Sequence, residues 1–185
     1  MLGRFLTAAV LTGSLAASAQ QQEPRSRAMA PDTQIAEQRA AISRLDFMLG
    51  IWTGSGWIML GPGQRAEFNQ TETVQKKLDG TLITIDGDGR DKSNPDRIVH
   101  NAFAVFTYNP EMKQYRFQPF LPGRQLDVSP TVFDHSWTWG FDAPYGKTRF
   151  TLDFTDGKWH EIGEFSRDGG QNWMKNFEMT LSRAK

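Results

Sequence analysis

Cysteine is absent from the 185 residues. No disulfide framework, thiolate metal site or cysteine nucleophile can be built from this chain. Net charge is absent as well, because 21 Lys and Arg balance 21 Asp and Glu. Nothing in that balance favours a nucleic acid or an anionic membrane as partner. Histidine is scarce. His100, His135 and His160 fall on three separate stretches. His160 and Glu164 share a strand face, but one pair falls short of a metal site, so no metal is expected. No run reaches the ~18 consecutive apolar residues that read as a membrane-spanning helix. A G-x-S-x-G elbow and a Gly-rich loop opening a helix are also missing, so no catalytic residues are assigned. What the chain has in quantity is aromatic side chains, with 6 Trp and 13 Phe, enough to fill a core.

The N-terminus reads as an export segment. Arg4 supplies a positive charge, Phe5 to Ala17 is apolar or small, and Ala17-Ser18-Ala19 fits a small-x-small cleavage site. Residues 1–19 are therefore expected to be a signal peptide, and the mature protein to be periplasmic or secreted. Residues 20–31 are polar with two prolines and read as a flexible linker. Residues 32–185 form the expected domain. Asp32 is placed to cap a short amphipathic helix over 33–45, with Ile35, Ile42 and Leu45 toward one face. That helix is expected to lie across a barrel end.

From Gly50 onward, strand-like runs alternate with turn signals such as Gly61-Pro62-Gly63, Asn109-Pro110, Pro122-Gly123 and Asp156-Gly157. The runs fall near 51–60, 65–78, 81–86, 97–108, 114–121, 124–133, 135–142, 147–155, 158–166 and 173–183. Short connections imply antiparallel neighbours. The expectation is an all-β, ten-stranded antiparallel up-and-down barrel with a short N-terminal helix, closed so that no edge strand remains. Gly87 to Pro95 is expected to be a break, and Asp86-Gly87-Asp88-Gly89-Arg90-Asp91 a solvated turn, since it lacks the spacing and terminal Glu of a calcium loop. Ser166 to Trp173 matches S-x-D-x-G-x-x-W and is expected to be a hairpin turn.

Alternation selects the inner face. His135, Trp137, Trp139 and Phe141 share one parity on their run, and Phe150, Leu152 and Phe154 share one on the next. These seven side chains are expected to form an aromatic wall. Arg116, Gln118, His100 and Tyr108 could add polar groups if their faces turn inward. The run 97–108 is apolar on both faces and 65–78 is polar on both, so their orientations stay open.

Gly50, Trp52, Gly54 and Gly56, the G-x-W-x-G-x-G of the first run, resemble the opening of lipocalin-like (calycin) barrels. The ending Phe177 to Arg183, with Tyr115-Arg116-Phe117 and Trp159 to Phe165, resembles their later strands, so the likeness spans roughly 45–183. It implies that Trp52 sits at the closed barrel end with Arg183 packed over it, in a structural role. Nitrobindins, heme-binding barrels, open in a similar way, but their axial His lies near the C-terminus. Here no His follows His160, and the last run carries Met179 instead. No cofactor is expected, heme included. The functional expectation is an exported barrel that binds a small, partly apolar or aromatic molecule. Its site would be drawn from His135, Trp137, Trp139, Phe141, Phe150, Arg116 and His100. The alternatives are an envelope scaffold with a filled barrel, and a small hydrolase or isomerase using His135 or His160.

Overall fold

The computed structural model describes residues 31–185. The expected signal peptide and all but the last residue of the linker lie outside the described residues. A helix, α1 (Asp32–Ser43), leads through a single 3-10 turn (Asp46–Met48) into eleven strands. These are β1 (Gly50–Gly61), β2 (Gln64–Lys77), β3 (Leu82–Asp91), β4 (Ile98–Asn109), β5 (Gln114–Leu121), β6 (Arg124–Gln125), β7 (Thr131–Val132), β8 (Ser136–Ala143), β9 (Gly146–Asp153), β10 (Trp159–Ser166) and β11 (Met174–Arg183). All pair antiparallel in one sheet ordered 6-5-4-3-2-1-11-10-9-8-7. The sheet curls into a half-barrel, and its interior holds one continuous core running from Ile42 and Met48 to Phe177 and Leu181.

The strand count differs from the expected ten at one place. The run 124–133 divides into β6 and β7 on either side of Pro130, which has no N–H to give to a ladder. The first half bonds to β5, where Phe117 and Val128 exchange N–H···O bonds of 2.9 and 3.0 Å. The second half bonds to β8, through Thr131 opposite Thr138 and Val132 opposite Trp137. β6 and β7 do not pair with each other, so the sheet keeps two edges instead of closing fully. Side chains span the gap: the rings of Phe117 and Trp137 lie 4.8 Å apart.

β3 corrects a second expectation. It continues through Gly87 and Gly89 to Asp91, so residues 86–91 are strand and not a solvated turn. The glycines face inward, where a Cβ has no room. A Cβ on Gly87 would stand 2.6 Å from Glu72 Oε1, and one on Gly89 would stand 2.2 Å from Gln70 Oε1 and 2.5 Å from the His100 carbonyl oxygen. Turn-like composition here serves to make space for long polar side chains on β2. Gly89→Ala is accordingly expected to destabilise the protein by about 1–3 kcal/mol, the usual cost of overpacking. A urea midpoint equal to that of the parent protein would refute this placement.

Strand β2 settles its own face. Ala66, Phe68, Gln70, Glu72 and Val74 are buried in strict alternation, although two of the five are polar. On β4 the even-numbered Ala104 and Phe106 are buried, so the even face is the inner one.

α1 lies across one end, as expected. Ile42 is fully buried, Gln38 Nε2 donates to the Tyr108 carbonyl at 3.0 Å, and Tyr115 Oη donates to the Ala41 carbonyl at 2.9 Å. Asp32 does not cap this helix. Pro31 holds the N-cap position without a side-chain hydrogen bond, and Asp32 is already the first helical residue. At the same end, Trp52 Nε1 donates to the Met48 carbonyl at 2.8 Å. The Arg183 guanidinium sits 4.3 Å from the centre of the Trp52 ring and donates to the Leu49 and Phe47 carbonyls. The 3-10 turn is thus tied to the first and last long strands together. At the opposite end, the Ser166–Trp173 motif is the β10–β11 turn. Asp168 Oδ1 accepts from Ser166 Oγ at 2.7 Å and from the backbone N–H groups of Gln171 and Asn172 at 3.0 and 2.9 Å.

Candidate functional site

The barrel interior is filled near α1 and hollow above it. Trp52, Trp159, Phe154 and Leu181 pack the closed end. Above them lies a cavity of about 190 Å³. β8 contributes Trp137, Trp139 and Phe141, β9 contributes Phe150 and Leu152, and β5 contributes Phe117. Alternation puts these residues on one face of their strands. The β8–β9 register, with Trp137 opposite Leu152 and Trp139 opposite Phe150, makes them one surface. Phe150 covers one face of Trp139, with ring centroids 4.4 Å apart and planes at 11°. Phe141 lies nearly parallel to Trp139 at 6.0 Å, and Phe117 meets Trp139 edge to face at 5.1 Å.

Three titratable side chains open onto this apolar space. Glu72 comes from β2, His100 from β4 and Glu161 from β10. Burial pushes the Glu72 carboxyl up to about 8, and the neighbouring Glu161 adds to the rise; the bond from Gln70 Nε2 at 2.8 Å opposes it. Burial likewise pushes Glu161 up to about 8, opposed by the indole N–H of Trp159 donating at 3.2 Å. His100, between the rings of Phe68 and Phe177 at 5.6 and 5.1 Å, is pushed down to about 4 by burial. At neutral pH the cavity therefore holds two carboxylic acids and a neutral imidazole. A cation stands at the rim, where the Arg124 guanidinium lies 4.4 Å from the centre of the Phe141 ring. The indole N–H of Trp137 is buried and has no acceptor among the described residues. Among the described residues, no group of three or more His, Asp and Glu side chains is placed to hold a metal ion.

Of the site residues expected from the sequence, Trp137, Trp139, Phe141, Phe150 and His100 come together around the cavity. Arg116 and His135 do not. Arg116 has the outward parity of β5, and its guanidinium pairs with Asp127 Oδ2 at 2.5 Å and Ser129 Oγ at 3.3 Å. Gln118 shares that parity. His135 precedes β8 at the closed end, where it is exposed and meets the Phe47 ring at 5.5 Å. Tyr108 faces inward but toward α1, against Tyr115 at 5.1 Å. His160 lies on the outer face, bound to Asp156 Oδ2 at 3.0 Å and Thr180 Oγ1 at 3.1 Å. Glu72, Glu161 and Arg124 were not among the expected residues. For the two acids a signal was present. Glu72 has the parity of Phe68 and Val74, and Glu161 has that of Trp159 and Gly163, so each sits in an inward-facing series.

A curled antiparallel sheet, a helix across one end and an aromatic cavity between them make up a calycin-like fold. Among the solved structures that share it are two at 12 and 13% identity. One is Rv2717c from M. tuberculosis, with a TM-score of 0.59 and 12% identity, covering 78% of this chain and 98% of that one. The other is the S-type phycobiliprotein lyase CPES from Guillardia theta, with a TM-score of 0.54 and 13% identity, covering 84% of this chain and 99% of that one. At such identities the likeness is one of fold. No family model and no curated protein sequence matches the chain.

Proposed function

We propose that the protein is an exported binder of a small, partly aromatic molecule held inside the barrel. The observation that carries this reading is the cavity itself, walled by aromatic side chains and floored by a few polar groups, which is the usual make-up of a small-molecule site. A barrel serving as a scaffold through its outer surface would have reason to fill that volume with its own side chains. The size sets the ligand class. The cavity, at about 190 Å³, is somewhat larger than the cavity of about 150 Å³ known to accept benzene. It suits one ring with a short substituent, and a tetrapyrrole is far too large for it.

Titrating the protein with one-ring and two-ring aromatic compounds is expected to quench tryptophan fluorescence, because Trp137 and Trp139 line the cavity. Trp139→Ala is expected to weaken binding by about 1–3 kcal/mol, the scale of an aromatic stacking contact. Native mass spectrometry without a bound small molecule, together with fluorescence indifferent to the whole series, would refute the reading.

A further inference from the structure

Two acids face one apolar cavity, and no charge among the described residues balances them. Neither Glu72 nor Glu161 has an ion-pair partner among the described residues. The interactions on Glu72 come from Gln70 of its own strand, Asp86 of β3 and Glu161 of β10, and only the first favours a carboxylate. Glu161 receives the Trp159 indole N–H and no cation. His100, from β4, is held neutral, and Arg124, from β6, is engaged with Phe141 at the rim. Burying one unpaired carboxyl is costly, and burying two that face each other costs more. Packing does not require them, since β2 places Phe68 and Val74 at equivalent inward positions. Room has also been made for Glu72 and for the Gln70 that bonds to it, because glycine at positions 87 and 89 keeps the space these two side chains occupy.

We propose that the cavity takes a small aromatic amine, whose ring lies against the Trp137–Phe150 wall and whose ammonium is held by Glu72 and Glu161. This inference rests on the small-ligand reading above and names the ligand's chemistry. An ammonium offers a positive charge, which this floor lacks, together with N–H donors that a carboxylate accepts. Aromatic faces around it supply cation–π attraction, which strengthens when water is excluded. The protons balance. In the empty cavity both carboxyls keep their protons. When R–NH3+ enters, one carboxyl releases its proton to bulk water and becomes the counter-ion, while the other stays protonated. The cavity's net charge is zero before and after.

The test compares phenethylamine with its neutral isostere phenethyl alcohol, by calorimetry and tryptophan fluorescence, between pH 6 and 8.5. Amine affinity is expected to rise about tenfold per pH unit from 6 toward 8, as the released proton becomes easier to lose. One proton per bound amine is expected at pH 7, measured from the difference in heat between phosphate and Tris buffers. At pH 8 the amine is expected to bind at least tenfold more tightly than the alcohol. The Glu72→Gln, Glu161→Gln double variant, which leaves no carboxyl to act as counter-ion, should cost the amine at least tenfold and abolish its proton release, and should cost the alcohol less. Should the double variant fail to fold, the proton count and pH profile of the parent protein decide alone. Alcohol binding as tight as amine binding at pH 8, or amine binding without proton release, would overturn the proposal and leave the small-ligand reading standing. Silence from both compounds, and from neutral rings generally, would remove that reading as well.

Discussion

Trp52→Ala is expected to cost about 3–5 kcal/mol of stability, the range for emptying a buried aromatic site. Trp52 is 1% exposed at the closed end, against Phe154 and Trp159 with ring centroids at 5.6 and 6.1 Å. Its removal would leave a cavity lined by those two rings and by Arg183. The side chain also fastens the 3-10 turn, because its N–H meets the Met48 carbonyl and its face supports the Arg183 guanidinium that binds two further carbonyls of the turn. Truncation thus removes packing and leaves polar backbone groups without partners, two costs that add. Trp52→Phe should lose less, since it keeps a ring and gives up the Met48 hydrogen bond. Chemical denaturation reads both. An unchanged midpoint for the alanine variant would show that the closed end does not depend on this residue.

Stability is also expected to fall by about 2–4 kcal/mol between pH 6.5 and 8, the reverse of what an ordinary buried histidine would cause. Glu72 and Glu161 ionise near pH 4.5 in the unfolded chain and are pushed up to about 8 in the fold. Between those values the native state holds two protons that the unfolded state has lost. The stabilisation is therefore complete below pH 4.5 and lost as pH rises through 8. His100 works in the opposite direction. It is pushed down to about 4 from an unfolded value of 6.5, so the unfolded chain binds the extra proton, but that contribution ends above pH 6.5. The window from 6.5 to 8 isolates the two acids. The lower end of the range allows for water reaching Glu161 through the open cavity. Urea curves at pH 6.5 and 8 measure the loss, and the Glu72→Gln, Glu161→Gln double variant should flatten it. Equal midpoints for the parent protein at the two pH values would mean that the acids are ionised in the native state.

Most of the fold is legible in the sequence because its signals are local. Nine of the ten expected runs correspond one to one with strands, since turn chemistry and period-two alternation are properties of neighbouring residues. The tenth divides at Pro130. Gly87 and Gly89 mislead because glycine signals a turn when read along the chain. What they do is make room for side chains of the adjacent strand, a relation visible only across the sheet. The site is legible in part for the same reason. Trp137, Trp139 and Phe141 announce their face by being large and apolar at alternate positions, and Phe150 does so beside Leu152. Glu72 follows the same parity rule, but polarity argues for solvent and hides it. Arg116 and His135 stand away from the cavity for the complementary reason. Each is a plausible ligand by chemistry, but strand parity sends Arg116 outward, and His135 stands at the end of its strand below the cavity.

The ladder between β1 and β11 sets this domain's loop-closure cost. Most ladders, β1–β2, β2–β3, β3–β4, β4–β5, β8–β9, β9–β10 and β10–β11 among them, join strands that follow one another, so each can close as a short local loop. β1–β11 instead brings Trp52 opposite Arg183 and Ile58 opposite Phe177. The entropy of such closure grows only with the logarithm of loop length, so this one distant contact is affordable once. It also joins two stretches, β1–β5 and β8–β11, that are otherwise chains of nearest-neighbour hairpins. The contact order of the whole sheet is concentrated in that single seam, where Gly54 and Gly56 let the backbone of β11 approach so closely that a Cβ at either position would come within 2.5 Å of a carbonyl oxygen.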